Sequence, residues 1–368
     1  MGLSFLLLLL LLSIVNGQEN CSTQEALERL KAIVKDNYLW ADKLKDYNWK
    51  DYEDFIKSLR SVGDRWSAIT RMNEDKLWYS SSKVLGVGIR WDDQGYIVRV
   101  FKDSPAERAG LREGDLIVFI NGVADKNLWR KAISEVPQGQ IISIDIIRDG
   151  IPLEIKVVKG EFVVPPIEEA RVFELFGRRV GYVRINNFTQ PTYEGFSSVL
   201  EDFKKSNIDL LVIDLRYNGG GLIGVAKSML DLLVGGEGVM FYLEGRGKNH
   251  GVYTFKNKEG FKKPIVVLVS KQTASSAELF ASVLKRYAGA LVVGEGTVGK
   301  YVGSNMYKLD DCGNMLRLIT FEMKLPDGSL VFGEKGVHID CKGGEKPVED
   351  ALRCLREKNL LLAPAESP

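Results

Sequence analysis

The segment Thr273-Ala274-Ser275-Ser276-Ala277-Glu278 places a serine where an apolar run, Ile265 to Val269, gives way to an amphipathic helical stretch. Downstream, Gly294-Glu295-Gly296-Thr297-Val298-Gly299-Lys300 sets a lysine just past a second apolar run, Leu291 to Val293, in a glycine-rich turn. A serine hydroxyl is a weak nucleophile until a neighbouring base takes its proton. A lysine can be that base once burial removes its charge. The chain has only two histidines, His250 and His338, so a lysine base is the natural candidate. Ser275 falls at the start of a predicted helix, where the backbone dipole favours negative charge near its oxygen. The N–H of Ser276 is then a candidate donor to an oxyanion. Taken one at a time, a capping serine and a solvated lysine account for the same residues.

A third segment, Asp214-Leu215-Arg216-Tyr217-Asn218-Gly219-Gly220-Gly221-Leu222, ends an apolar run in a polar, glycine-rich turn. Such a turn lets a ligand approach the backbone and frees N–H groups to stabilise negative charge. One reading makes the Gly220 N–H an oxyanion donor. A plain strand-to-helix turn is the other simple account. Gly219 to Gly224 also satisfies the dinucleotide fingerprint, but no convincing acidic residue follows about twenty positions on. Ser282-Val283-Leu284-Lys285 fits Ser-x-x-Lys, yet it lies inside a helical stretch without its companion motifs. A fourth segment, Leu85-Gly86-Val87-Gly88-Ile89, exposes successive N–H groups that can grip a terminal carboxylate.

The elements that must hold these segments follow from periodicity. Leu27, Leu30, Ile33 and Val34, then Phe55, Leu59 and Val62, predict helices from Thr23 to about Ser82, with no chemistry of their own. From Val84 to Val158, short β-rich runs alternate with turn signals, Asp149-Gly150 marking a hairpin. There Ser104 to Gly110 predicts a capped short helix, and Asp125 to Val136 a second. From Arg179 onward, apolar runs at 180–185, 208–215, 265–269 and 291–293 alternate with helical stretches at 193–205, 223–233 and 275–287. That is the pattern of an α/β layer.

Together these motifs resemble the C-terminal processing (tail-specific) serine peptidases, an S41-like family. Ala109-Gly110-Leu111-Arg112-Glu113-Gly114-Asp115-Leu116-Ile117 and Ile120-Asn121-Gly122 look like that family's PDZ domain. The segments at 214–221, 273–278 and 294–300 look like its catalytic core, and Gly336-Val337-His338-Ile339-Asp340 resembles its closing segment. The resemblance implies a multidomain α+β and α/β chain. It would comprise a signal peptide (1–17), an N-terminal helical domain (18–82), a β-barrel-like PDZ domain (83–160), a crotonase/ClpP-like core (161–346) and a C-terminal helix and tail (347–368). It further implies Ser275 as nucleophile, Lys300 as general base, Gly220 and Ser276 as oxyanion donors, and Leu85, Gly86, Val87, Gly88 and Ile89 as the carboxylate loop. Many members carry a glutamine four residues past the lysine to orient it. Here that position is Ser304, leaving Ser304, Asn305 or another group to do so. A catalytically degenerate peptide-binding scaffold is the alternative, and Ser304 is the feature that favours it.

Composition bounds the partners. With 50 basic and 49 acidic residues, the chain offers no support for nucleic-acid binding. The resemblance implies polypeptides with free C-termini as partners. No cofactor or metal is expected, since no Cys-x-x-Cys or Cys-x-x-His spacing occurs. The leucine run Leu6 to Leu12 is too short to span a bilayer, and Val15-Asn16-Gly17 offers small residues for cleavage. Export to a periplasmic or extracellular space is therefore expected, with membrane proximity and self-association left open. Cys21, Cys312, Cys341 and Cys354 permit three disulfide pairings. Asn20-Cys21-Ser22 and Asn187-Phe188-Thr189 match the glycosylation sequon.

Overall fold

Two amphipathic helices, α1 (Gln24–Asn37) and α2 (Tyr52–Ser61), begin the computed structural model, which describes residues 24–344 and 346–358. The expected signal segment, Cys21 with its sequon, and the chain after Lys358 lie outside the described residues. Leu27, Leu30 and Val34 on α1 and Phe55 and Leu59 on α2 are buried in one shared core. Asp51 caps α2 by accepting the Asp54 N–H at 2.9 Å. Helix was expected through Ser82, but a strand interrupts it: β1 (Ala68–Arg71) precedes α3 (Met72–Ser81). The cause is tertiary. Residues 68–71 pair antiparallel with 314–317, and that ladder overrides local preference.

The next region is β-rich. It contains β2 (Lys83–Gly86), β3 (Ile89–Trp91), β4 (Ile97–Val100), the short α4 (Pro105–Arg108) and β5 (Leu116–Ile120). Then come α5 (Trp129–Ser134), β6 (Ile141–Arg148), β7 (Ile151–Val158) and β8 (Gly160–Val163). Ser104 caps α4 as expected, accepting the Glu107 N–H at 3.2 Å. Asp149 and Gly150 both have positive φ, as the hairpin signal requires. The helix expected over 125–136 is shorter. Asp125 accepts the Asn127 N–H at 2.9 Å and tightens the entry into a 3₁₀ turn. Trp129, Ile97, Ile117 and Ile144 fill this region's own core.

The third region supplies β9 (Ile167–Leu175), β10 (Arg178–Ile185), α6 (Thr192–Lys205), β11 (Leu210–Asp214), α7 (Ile223–Leu233), β12 (Gly236–Gly245) and β13 (Gly251–Asn257). It continues through β14 (Ile265–Val269), α8 (Ser276–Ala288), β15 (Leu291–Gly294), β16 (Val302–Lys308), β17 (Asn314–Lys324), β18 (Cys341–Lys342) and α9 (Pro347–Glu357). One sheet runs β18-β15-β14-β11-β10-β9, parallel except where β9 joins β10. Its apolar runs are covered on both faces, by α6 to α8 on one side and α9 on the other. A second, antiparallel sheet runs β1-β17-β12-β13, with β16 also on β17. It packs against α1 and α2 on one face and the main core on the other. Periodicity did not foretell this second sheet. A disulfide joins Cys341 to Cys354, holding α9 against the parallel sheet, and Cys312 is disulfide-bonded too. The Asn187 sequon is buried, its Oδ1 accepting from Thr189, so the folded chain does not offer it for glycosylation.

Candidate active site

Ser275 stands at the mouth of α8, where β14 hands over to the helix. Its φ of 58° lies in the left-handed region, which costs a non-glycine residue on the order of 1–3 kcal/mol. The body of α8 holds that strained turn in place. Leu279, Phe280, Val283 and Leu284 are fully buried, each contributing about 1.5–3 kcal/mol to anchoring the helix. Glu278, also fully buried, accepts the Ser275 N–H at 2.7 Å.

The same carboxylate reaches the other motif. It accepts the Thr297 hydroxyl at 2.6 Å, the Gly299 N–H at 2.7 Å and the Lys300 N–H at 2.9 Å. Burial pushes the Glu278 carboxyl above its usual range, and these donors offset only part of that rise. One buried side chain therefore fixes the serine turn and the lysine turn relative to each other. Thr297 in turn accepts the Val337 N–H at 2.8 Å, which docks the closing segment. Gly299 is required here: its φ is +79°, and a Cβ would stand 2.0 Å from the Glu334 carbonyl oxygen.

Ser275 and Lys300 line one cavity of about 950 Å³. No direct hydrogen bond joins them in this conformation, a looseness common in active sites without substrate. Burial first, and then the Arg317 charge, push Lys300 down to about 8, while Asp64 and Glu278 pull it up. Its ammonium sits 5.2 Å from the Trp66 ring centre, within cation–π range.

The N-terminal segment therefore does more than pack. Asp64 is fully buried and accepts the Trp66 and Ser67 N–H groups at 2.8 and 3.0 Å, setting the ring beside the lysine. Trp66, Asp64 and Arg317 carry no motif of their own, and sequence reasoning missed all three. The expectation for Ser304 is corrected. Its side chain lines the cavity, but its buried hydroxyl bonds to no protein group and does not hold Lys300. A serine is too short to replace a glutamine there, and Asn305 is engaged with Asn249 at 2.6 Å.

The glycine turn after β11 lies opposite. Asp214 is fully buried. Desolvation pushes its carboxyl up, but the Arg216 and Arg184 guanidiniums and the Tyr182 hydroxyl outweigh that and hold it below its usual range. Gly220, at φ +103°, packs so closely that a Cβ would meet Ser275 Cβ at 2.9 Å. Its N–H, however, donates to Asn218 Oδ1 at 2.8 Å rather than into the cavity. The Ser276 hydroxyl donates to the Gly221 carbonyl at 2.9 Å, while its N–H begins α8.

The cavity extends to the β-rich region through Ile89, Trp91 and Arg130. Arg90 bridges the two regions. It donates to Asn186 Oδ1 at 3.0 Å, pairs with Glu168 at 3.3 Å and stacks over Tyr217. In the loop Leu85 to Ile89, the carbonyls of Val87 and Gly88 accept from Ala106 and Phe101. Leu85 and Gly86 belong to β2, and Ile89 opens β3.

The model of peptidase family S41 matches residues 179–342, and a PDZ-domain model matches 96–125. Over residues 179–342 the chain is similar to peptidase family S41. The carboxy-terminal processing protease CtpB of Bacillus subtilis (strain 168) is 30% identical over 269 residues, covering 70% of this chain and 54% of CtpB. A probable CtpA-like serine protease of Staphylococcus saprophyticus is 28% identical over 308 residues, covering 81% and 61%. The chain thus spans little more than half the length of the curated relatives it matches. Among solved structures, the photosystem II D1 C-terminal processing protease superposes with a TM-score of 0.62 at 21% identity, covering 90% of this chain and 97% of that one. A putative S41 protease from Bacteroides fragilis gives 0.66 at 20%, covering 91% and 98%.

Proposed function

We propose that the chain is an exported serine endopeptidase that cuts polypeptides near their C-termini, with its PDZ domain recognising the substrate tail. The observation that carries this reading is the single cavity facing both Ser275 and a lysine whose pKa is lowered to about 8. Lys300, neutral, takes the proton from Ser275 Oγ as the oxygen attacks the scissile carbonyl. It then gives that proton to the departing amine, leaving an acyl ester on Ser275. Water, deprotonated by the same amine, attacks the ester and releases the new C-terminus. The Ser276 N–H holds the oxyanion. The Gly220 N–H joins it once released from Asn218.

Trp66 and Asp64 position the lysine in the role that the family's glutamine has elsewhere. The loop Leu85, Gly86, Val87, Gly88 and Ile89 receives the tail carboxylate, and the shared cavity offers the route from that loop to Ser275. The leucine-rich start supports export.

The test is cleavage of an unstructured, tailed polypeptide followed by mass spectrometry. Ser275→Ala should bind the substrate and leave it intact, whereas wild-type turnover by that variant would end the proposal. A non-catalytic peptide-binding scaffold is the second reading, favoured by the Gly220 N–H turned toward Asn218. It requires that the wild-type chain bind the polypeptide without cutting it.

A further inference from the structure

Interior guanidiniums in this fold are matched to carboxylates. Arg90 pairs with Glu168, Arg148 with Asp115, and Arg184 and Arg216 share Asp214. Arg317 is different. It lies on β17 opposite Met306 of β16 and lines the cavity with Ser275, Lys300 and Ser304. Its Nε is buried and meets no protein acceptor, and among the described residues no acidic side chain pairs with it. The Ser304 hydroxyl on the same wall is likewise buried and unbonded. Leaving a buried guanidinium N–H without an acceptor is costly, and the positive charge beside Lys300 adds to that cost. An incoming carboxylate would offset both, and the planar fork of donors suits one bidentately.

We propose that Arg317, with the Ser304 hydroxyl beside it, is a carboxylate-binding subsite that makes the chain prefer peptides carrying an acidic group near the bond it cuts. This rests on the peptidase reading above. The carboxylate is either an Asp or Glu side chain or the peptide's own terminus.

The experiment uses the whole chain and peptide pairs differing only by Glu or Gln at one position flanking the cut, plus one pair with a free or amidated C-terminus. Wild type should favour Glu over Gln at one position by about ten- to a hundredfold in kcat/KM. Arg317→Gln should bring that ratio close to one, Arg317→Lys should keep part of it, and Ser304→Ala should reduce it a few-fold. A ratio cancels any change that Arg317 makes to Lys300. If the free-acid preference collapses in Arg317→Gln instead, the recognised carboxylate is terminal. A free-acid preference that survives belongs to the Leu85 to Ile89 loop. Ratios unchanged by Arg317→Gln across all pairs, with cleavage still dependent on Ser275, overturn the subsite and leave the peptidase intact. If no Ser275-dependent cleavage occurs, the peptidase reading fails, and binding of the same pairs to Ser275→Ala with and without Arg317→Gln decides the subsite.

Discussion

Titrating the reaction tests the lysine directly. An ordinary lysine at 10.5 is neutral in only about three molecules per ten thousand at pH 7, whereas at about 8 the neutral fraction is roughly one in ten. Burial and Arg317 thus raise the concentration of usable base about three-hundredfold. The rate constant kcat/KM should climb tenfold per pH unit below the midpoint, bend near 8 and level off above it. Two substitutions should move that bend in opposite senses. Asp64→Asn removes the negative charge that stabilises the ammonium while keeping an oxygen for the Trp66 and Ser67 N–H groups, so the midpoint should fall. Arg317→Gln removes a repelling charge, so the midpoint should rise. Each shift should be on the order of one pH unit at low salt, shrinking as salt screens the charge. The assay is pre-steady-state cleavage of a fluorogenic tailed peptide from pH 6 to 9.5, with unfolding checked at each pH. A flat profile, or shifts of the reverse sign, would refute the assignment of Lys300 as base.

Glu278→Ala should strip the acceptor from three backbone N–H groups and one hydroxyl. It should cost about 3–5 kcal/mol in urea unfolding and lower kcat more than a hundredfold where the variant remains folded. Gly299→Ala puts a methyl 2.0 Å from the Glu334 carbonyl at a φ that side chains resist. It should destabilise by about 2–4 kcal/mol and reduce turnover by moving Lys300, with unchanged kcat and Tm counting against that account. Cys354→Ser opens the disulfide to Cys341, thirteen residues away in sequence. It should cost about 3 kcal/mol by the loop-entropy argument while kcat/KM at low temperature changes little. Equal stability under oxidising conditions would show that α9 is held by packing alone.

What could be read from the chain was local. The alternation after Arg179 delivered α7 with its observed ends, and β14 likewise, because both are continuous apolar or amphipathic runs packed on their expected faces. The Ser275 turn was legible for the same reason: strand, small residues and helix succeed one another without a break. β1 was not legible, because residues 68–71 become a strand only when β17, some 250 positions away, presents an edge. β12 shares part of that dependence through its pairing with β17, while β13 and β16 pair with strands close by in sequence. Each pairs within a sheet assembled from both ends of the chain, and a two-residue period in a partly buried strand is easily lost among turns.

The site divides along the same line. The serine, the lysine and Glu278 lie in or beside recognisable motifs, but the environment that gives the lysine its chemistry does not. Desolvation is a property of everything that surrounds a group, and here Trp66 arrives from the N-terminal segment and Arg317 from the middle of β17. Neither residue is unusual in its own stretch of sequence. The motif could therefore suggest a base without showing what lowers the pKa of that lysine. Nor could it show that Ser304, at the position where a glutamine would point to the lysine, leaves its hydroxyl facing the cavity beside an unmatched guanidinium. The loss of one orienting contact and the presence of an unpaired cation are thus neighbouring facts in space. On the proposed reading, a lysine held beside an aromatic ring instead of by an amide leaves the strand wall at Ser304 and Arg317 available for substrate.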